Sequence, residues 1–176
     1  PQTGAPRPAT RAAGVLTVLP EPPPADAFRP PYCGEDKTVS FTLDDLDRSL
    51  LLNLDPPANT PDPDGLARQM SRTWIDHVFE WHGAMLHPSL HMPNYGRDMA
   101  RILLETALIV HLDFSQLPRS PGKDPLLVNL VQFGIDTQGI ADNGGGFRAN
   151  GGPGLGRLWP ILFAGPMLDD ERMKSV

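Results

Sequence analysis

A single cysteine, Cys33, occurs among 176 residues, so no internal disulfide can form. The core must hold without covalent help, which suits a reducing compartment and also a secreted bacterial protein. No apolar run approaches the roughly 18 residues needed to cross a bilayer, so no membrane span is expected. Basic residues are outnumbered, 15 against 21, and the net charge of −6 argues against a nucleic-acid surface. Alternating apolar and polar runs are missing after residue 40, so no large sheet is expected there. Three chemical signatures are absent as well. There is no Gly-Lys-Ser/Thr phosphate loop, no Gly-x-Ser-x-Gly nucleophile elbow and no His-Glu-x-x-His.

Proline (21) and glycine (17) are abundant. Residues 1–36 carry Pro20, Pro22, Pro23, Pro24, Pro30 and Pro31, and read as an extended, polyproline-like arm. Val15 to Leu19 reads as a short edge strand, with Phe28, Tyr32 and Cys33 pinning the arm to the body. Residues 37–176 read as one helical domain. Thr42, with Asp45 three positions on, forms a capping box at the start of a first helix. A second helix spans Asp64 to Trp81 on the stripe Leu66, Met70, Trp74, Val78 and Trp81. A third, Arg97 to Leu112, is apolar nearly all round, with Arg101 and Glu105 spaced to pair. A fourth begins at Asp124-Pro125 and ends near Asn143. A fifth opens at Arg157 and runs to about Leu168, with Pro160 in its first turn and Pro166 interrupting it. The expected class is mainly α: antiparallel helical hairpins forming part of an α/α toroid. The C-terminal Asp169-Asp-Glu-Arg-Met-Lys-Ser-Val176 reads as the capped start of a helix in a chain that continues.

The stretch from Asn143 to Trp159 holds Gly144, Gly145, Gly146, Gly151, Gly152, Gly154 and Gly156. Glycine lets a ligand or a second backbone come close. The first amides of a helix have no internal partners and attract anions. Asn150, Gly151, Gly152 and Arg157 therefore stand as candidate contacts for a carboxylate or sulfate, with Arg157 supplying a forked donor. The competing reading is a long interhelical loop whose glycines serve its bends.

The remaining chemistry gathers before the third helix. His82, His87 or His91 can act as a base near neutral pH, and Tyr95 as an acid. Arg97, Asn150 and Arg157 can neutralise a substrate carboxylate, and Trp159 can stack on a sugar. That combination is what abstraction of a proton beside a uronic carboxylate requires. No metal site is expected, because Pro88 and Pro93 break the spacing of His87 and His91. No cofactor is expected either.

Five stretches carry a resemblance: Phe28-Arg-Pro-Pro-Tyr-Cys-Gly34, Trp74-Ile-Asp-His77, Met92-Pro-Asn-Tyr-Gly-Arg97, Gln132-Phe-Gly-Ile-Asp136, and the run from Gly151 to Gly165. Together they resemble the first part of large secreted bacterial proteins with an α/α toroid, loosely like polysaccharide lyases of the heparinase and alginate lyase type. The resemblance covers residues 28–176 and implies a toroid with a sugar-binding cleft at the loop end. Pro153 stands where the resemblance implies a histidine, which points to binding without cutting if that histidine acts in the chemistry. The expected function is β-elimination on an acidic polysaccharide by a secreted or periplasmic protein. The alternatives are a non-catalytic helical glycan-binding or scaffold module and a metal-assisted hydrolase. Self-association, or association with a missing C-terminal portion, is the expected assembly.

Overall fold

A computed structural model describes residues 15–71, 95–117, 122–145 and 151–176; in 95–99 and 151–155 the description is of helix backbone. Among the described residues there are five α-helices and no strand. They are α1 Pro63–Met70, α2 Tyr95–Ile109, α3 Asp124–Asp142, α4 Gly151–Met167 and α5 Glu171–Lys174. The protein is mainly α. Val15 to Leu19 forms no strand, and β pairing is confined to isolated bridges between Ala27 and Thr42 and between Leu54 and Leu112.

The apolar composition of α3 explains its place. From Leu130 to Ile140 every residue except Gln132 is buried. A helix buried all round needs neighbours on every side. α3 has α4 and α1 against it, and a non-helical segment, residues 28–34, along its polar stripe. Each fully buried Leu, Ile or Val of this core contributes roughly 1.5–3 kcal/mol of transfer free energy.

α4 runs back along α3. Their far ends meet a single turn: Arg48 pairs with Asp124 at the start of α3, and the Asp47 amide donates to the Met167 carbonyl at the end of α4 (2.8 Å). The two helices therefore form an antiparallel hairpin. Gly134 sets how close they come. A Cβ there would lie 2.4 Å from the Pro160 carbonyl oxygen and 2.7 Å from the Ala164 Cβ, so only hydrogen fits. α2 packs mainly on α4, which makes α4 the middle layer. Trp159 stacks on Phe163 (5.1 Å between ring centres), and His111 meets Phe163 edge-on at 6.5 Å, just past the end of α2.

Several boundaries differ from the sequence expectations: α2 runs from Tyr95 to Ile109 rather than from Arg97 to Leu112. Residues 42–50 form two 3₁₀ turns, Leu43–Asp45 and Arg48–Leu50, rather than a helix. The capping box of Thr42 and Asp45 is present, but Asp47 then accepts from Ser49 N and caps a new turn, so local side-chain bonds replace helix propagation. α4 begins at Gly151, not Arg157, so Pro160 lies inside the helix rather than in its first turn. The packing of α4 against α2 and α3 outweighs the poor helix propensity of glycine and proline there. Asp124 is the first residue of α3 rather than its cap. The expected second helix is seen from Pro63 to Met70, capped by Asp62; its remainder to Trp81, with Trp74, lies outside the described residues. The Arg101–Glu105 pair forms as its spacing predicts, at 2.8 Å. Asp169, with φ +52°, ends α4, and the Asp170 amide reaches back to the Gly165 carbonyl at 2.9 Å.

Candidate functional site

Gln132, Asp136 and Gly139 of α3 and its C-cap Asn143 lie on one helical stripe, at steps of four, three and four. Segment 28–34 lies along it. The Gln132 side chain exchanges two hydrogen bonds with the Arg29 backbone, accepting from N and donating to O, each at 2.9 Å. Asp136 takes the Arg29 guanidinium on both oxygens (2.8 and 2.5 Å) and a third bond from the Tyr32 amide (3.2 Å). Pro31 fills the space over Gly139, where a Cβ would come within 2.3 Å of the Pro31 Cβ. Phe28, next to Arg29, is buried in the core. Burial pushes the Asp136 carboxyl above its ordinary value, although the Arg29 hydrogen bonds and charge pull the other way.

This docked segment walls a cleft of about 320 Å³. The opposite wall is the end of α3 and α5. Asp36, Thr38 and Ser40 contribute from the chain that follows the segment, Gln138 and Asp142 from α3, and Arg172 from α5. Phe41, Met173 and the half-buried Cys33 add apolar surface. Gln138 is 8% exposed, and its amide nitrogen donates to Asp142 Oδ1 at 2.7 Å. That bond fixes which end of the carboxamide is oxygen. The buried Oε1 accepts no hydrogen bond among the described residues, a deficit of about 1–3 kcal/mol for such an atom.

Arg172 is held at the cleft by Asp170, the cap of α5. Its Nη2 lies 3.1 Å from Asp170 Oδ2, while its Nη1 stands 3.8 Å from Asp142 Oδ2. Burial raises the Asp170 carboxyl, but the Arg172 side chain and the Met173 and Arg172 amides outweigh it and hold it below its usual value. The Asp36 carboxyl is also lowered, chiefly by hydrogen bonds from Thr38. The cleft can therefore offer ionised acceptors, one forked donor and two hydroxyls to a ligand.

Of the residues singled out from sequence, only some are described. His82, His87, His91 and Asn150 lie outside the described residues. Tyr95 and Arg97 fall in the first turn of α2, and Gly151 and Gly152 in the first turn of α4. Arg157 is buried, 2% exposed, and Trp159 is half-buried on Phe163. Neither Arg157 nor Trp159 lines the cleft. The cleft residues were legible only in part. The motifs from Phe28 to Gly34 and from Gln132 to Asp136 stood out as separate stretches, and the structure joins them. No local pattern marks Gln138 or Arg172. Among the described residues, no three His, Cys, Asp or Glu side chains gather as a metal site would require, and no helix is long and apolar enough to cross a membrane.

No protein-family model, curated protein or solved structure matches this chain.

Proposed function

We propose that this chain is a helical glycan-binding module of a carbohydrate-active protein, and that the cleft between segment 28–41, α3 and α5 holds the sugar. One observation carries this reading. The cleft collects two carboxylates, two guanidinium groups, two carboxamides and two hydroxyls beside Phe41, a mixture of donors and acceptors with apolar surface next to it. Sugars present that combination in reverse, with hydroxyls that both donate and accept around an apolar ring face. The toroid and the secreted or periplasmic location belong to the same proposal, with the antiparallel α3–α4 hairpin as one unit of the ring. The test is a ¹⁵N-labelled sample titrated with a panel of neutral and acidic oligosaccharides. Shifts confined to residues around Asp36, Gln138, Asp142 and Arg172 are expected. A panel that leaves those amides unmoved overturns the reading.

A second reading, β-elimination on an acidic polysaccharide, draws support from the direction of two helices. α2 and α4 end together at His111 and Phe163, and side by side they start toward a common end, the end to which Tyr95, Arg97, Gly151 and Gly152 belong. Incubation with uronate polymers, followed by ultraviolet absorbance of unsaturated uronate, tests it. An unchanging absorbance with every acidic polymer removes the lyase and leaves the binding module.

A further inference from the structure

The Arg172–Asp142 pair in the cleft is oriented but not closed. Asp142 Oδ1 is occupied by the Gln138 amide (2.7 Å), which turns its other oxygen toward Arg172. Arg172 Nη2 is occupied by Asp170 Oδ2 (3.1 Å), which leaves Nη1 facing Asp142 at 3.8 Å, beyond hydrogen-bond reach. Both side chains are thus positioned by a second partner, and each presents one unused polar atom to the other. Asp142 and Arg172 are 45% and 66% exposed, so a ligand can reach both.

We propose that this pair is a clamp for two neighbouring hydroxyls of a neutral sugar, and that the cleft discriminates against acidic glycans. The inference rests on the glycan-binding reading above. One sugar hydroxyl oxygen accepts from Arg172 Nη1, and its neighbour's O–H donates to Asp142 Oδ2. No covalent bond changes. A vicinal diol supplies one acceptor and one donor side by side, as an open guanidinium–carboxylate pair demands. A uronate carboxylate supplies acceptors only. It could take the Arg172 donor, but it would then stand against Asp142 and Asp170, both already directed at the same guanidinium, and against Asp36, whose charge also acts on Arg172. Two other cations of this region have their donors engaged. Arg29 is committed to Asp136, and the Lys37 ammonium to the Pro31 and Cys33 carbonyls.

The experiment is calorimetric titration of the protein with cellotetraose and with tetragalacturonate under one set of conditions. The neutral sugar is expected to bind more tightly. Asp142→Asn is expected to weaken cellotetraose about tenfold, the loss of one hydrogen bond to a charged acceptor, and to strengthen tetragalacturonate. Arg172→Gln keeps a donor amide but shortens the reach, and is expected to weaken both sugars. Circular dichroism confirms that each variant is folded; should Asp142→Asn unfold, Arg172→Gln alone decides the role of the clamp. Tighter binding of the uronate, or neutral binding untouched by the substitutions, overturns the clamp while the glycan-binding reading survives. Binding of neither sugar, repeated with the wider panel, removes that reading itself.

Discussion

Arg29 and Asp136, 107 residues apart in the chain, meet through a two-point guanidinium–carboxylate pair that fastens a non-helical segment to the most buried helix of the protein. The two sides of this pair are not equivalent. The Asp136 side chain is 5% exposed and that of Arg29 is 27% exposed.

This asymmetry sets the order of two substitutions. Arg29→Met leaves a carboxylate buried without its partner and is expected to cost roughly 3–5 kcal/mol. Asp136→Asn leaves a cation that can turn to water and is expected to cost less, about 1–3 kcal/mol. The pH response follows from the raised Asp136 pKa. A carboxyl raised in the folded state binds its proton more readily there than in the unfolded chain. Its contribution to stability is therefore fully present below the ordinary carboxylate value and is lost as pH rises through the folded value. Removing Arg29 removes the group that opposes the rise, so Arg29→Met should recover stability in acid relative to the parent. Urea unfolding across the acidic range measures both effects; equal costs for the two substitutions would contradict the asymmetry.

Gly134 and Gly139, five residues apart on α3, are expected to fail in different ways. Alanine at either position would gain up to about 1 kcal/mol of helix propensity if space allowed. At Gly134 the new methyl meets the Pro160 carbonyl backbone, which cannot yield without moving α4. Overpacking of about 1–3 kcal/mol or more should win, and Gly134→Ala should lower the thermal midpoint of the whole bundle. At Gly139 the methyl meets Pro31. Gly139→Ala should displace segment 28–34 and weaken ligand binding in the cleft with less effect on the midpoint. Melting curves and oligosaccharide titrations of both variants separate the two outcomes.

His111 ties the Leu52–Leu54 segment to the end of α2. Its Nδ1 accepts the Leu52 amide at 3.1 Å, so the neutral ring carries its proton on Nε2. Burial, with help from the charge of Lys123, lowers its pKa from the ordinary 6.5. Here the unfolded chain binds the proton more readily. The contribution is present above the unfolded value and is lost as pH falls below it toward the folded value. His111→Asn supplies an acceptor in the place of Nδ1 and does not titrate. The parent should lose stability as pH falls below the ordinary histidine value of 6.5, and the variant should lose less of it. Identical pH profiles for the two proteins would show that His111 does not carry the effect.

The helical class was legible because it depends on short-range patterning. Leu66 and Met70 recur at helical spacing and Asp124-Pro125 marks a start; α2, read as apolar nearly all round, instead exposes Arg101 and Leu108. The Arg101–Glu105 pair and the Thr42–Asp45 capping box were legible for the same reason, since each lies within one turn. The start of α4 was not. Gly151 to Gly156 and Pro160 carry a local preference against helix, and the packing of α4 against α2 and α3 overrides it.

By itself the sequence determined that the chain builds helices and marked where several of them lie. Only the tertiary structure decided that the stretches Phe28 to Gly34 and Gln132 to Asp136 are one contact, that Gly134 marks where α3 and α4 touch, and that Asp142 and Arg172 share a cleft. Helix formation is dictated by residues three and four positions apart, and the sequence displays that spacing directly. The cleft depends on side chains that meet only after α3, α4 and the docked segment have packed, a relation that no local pattern encodes.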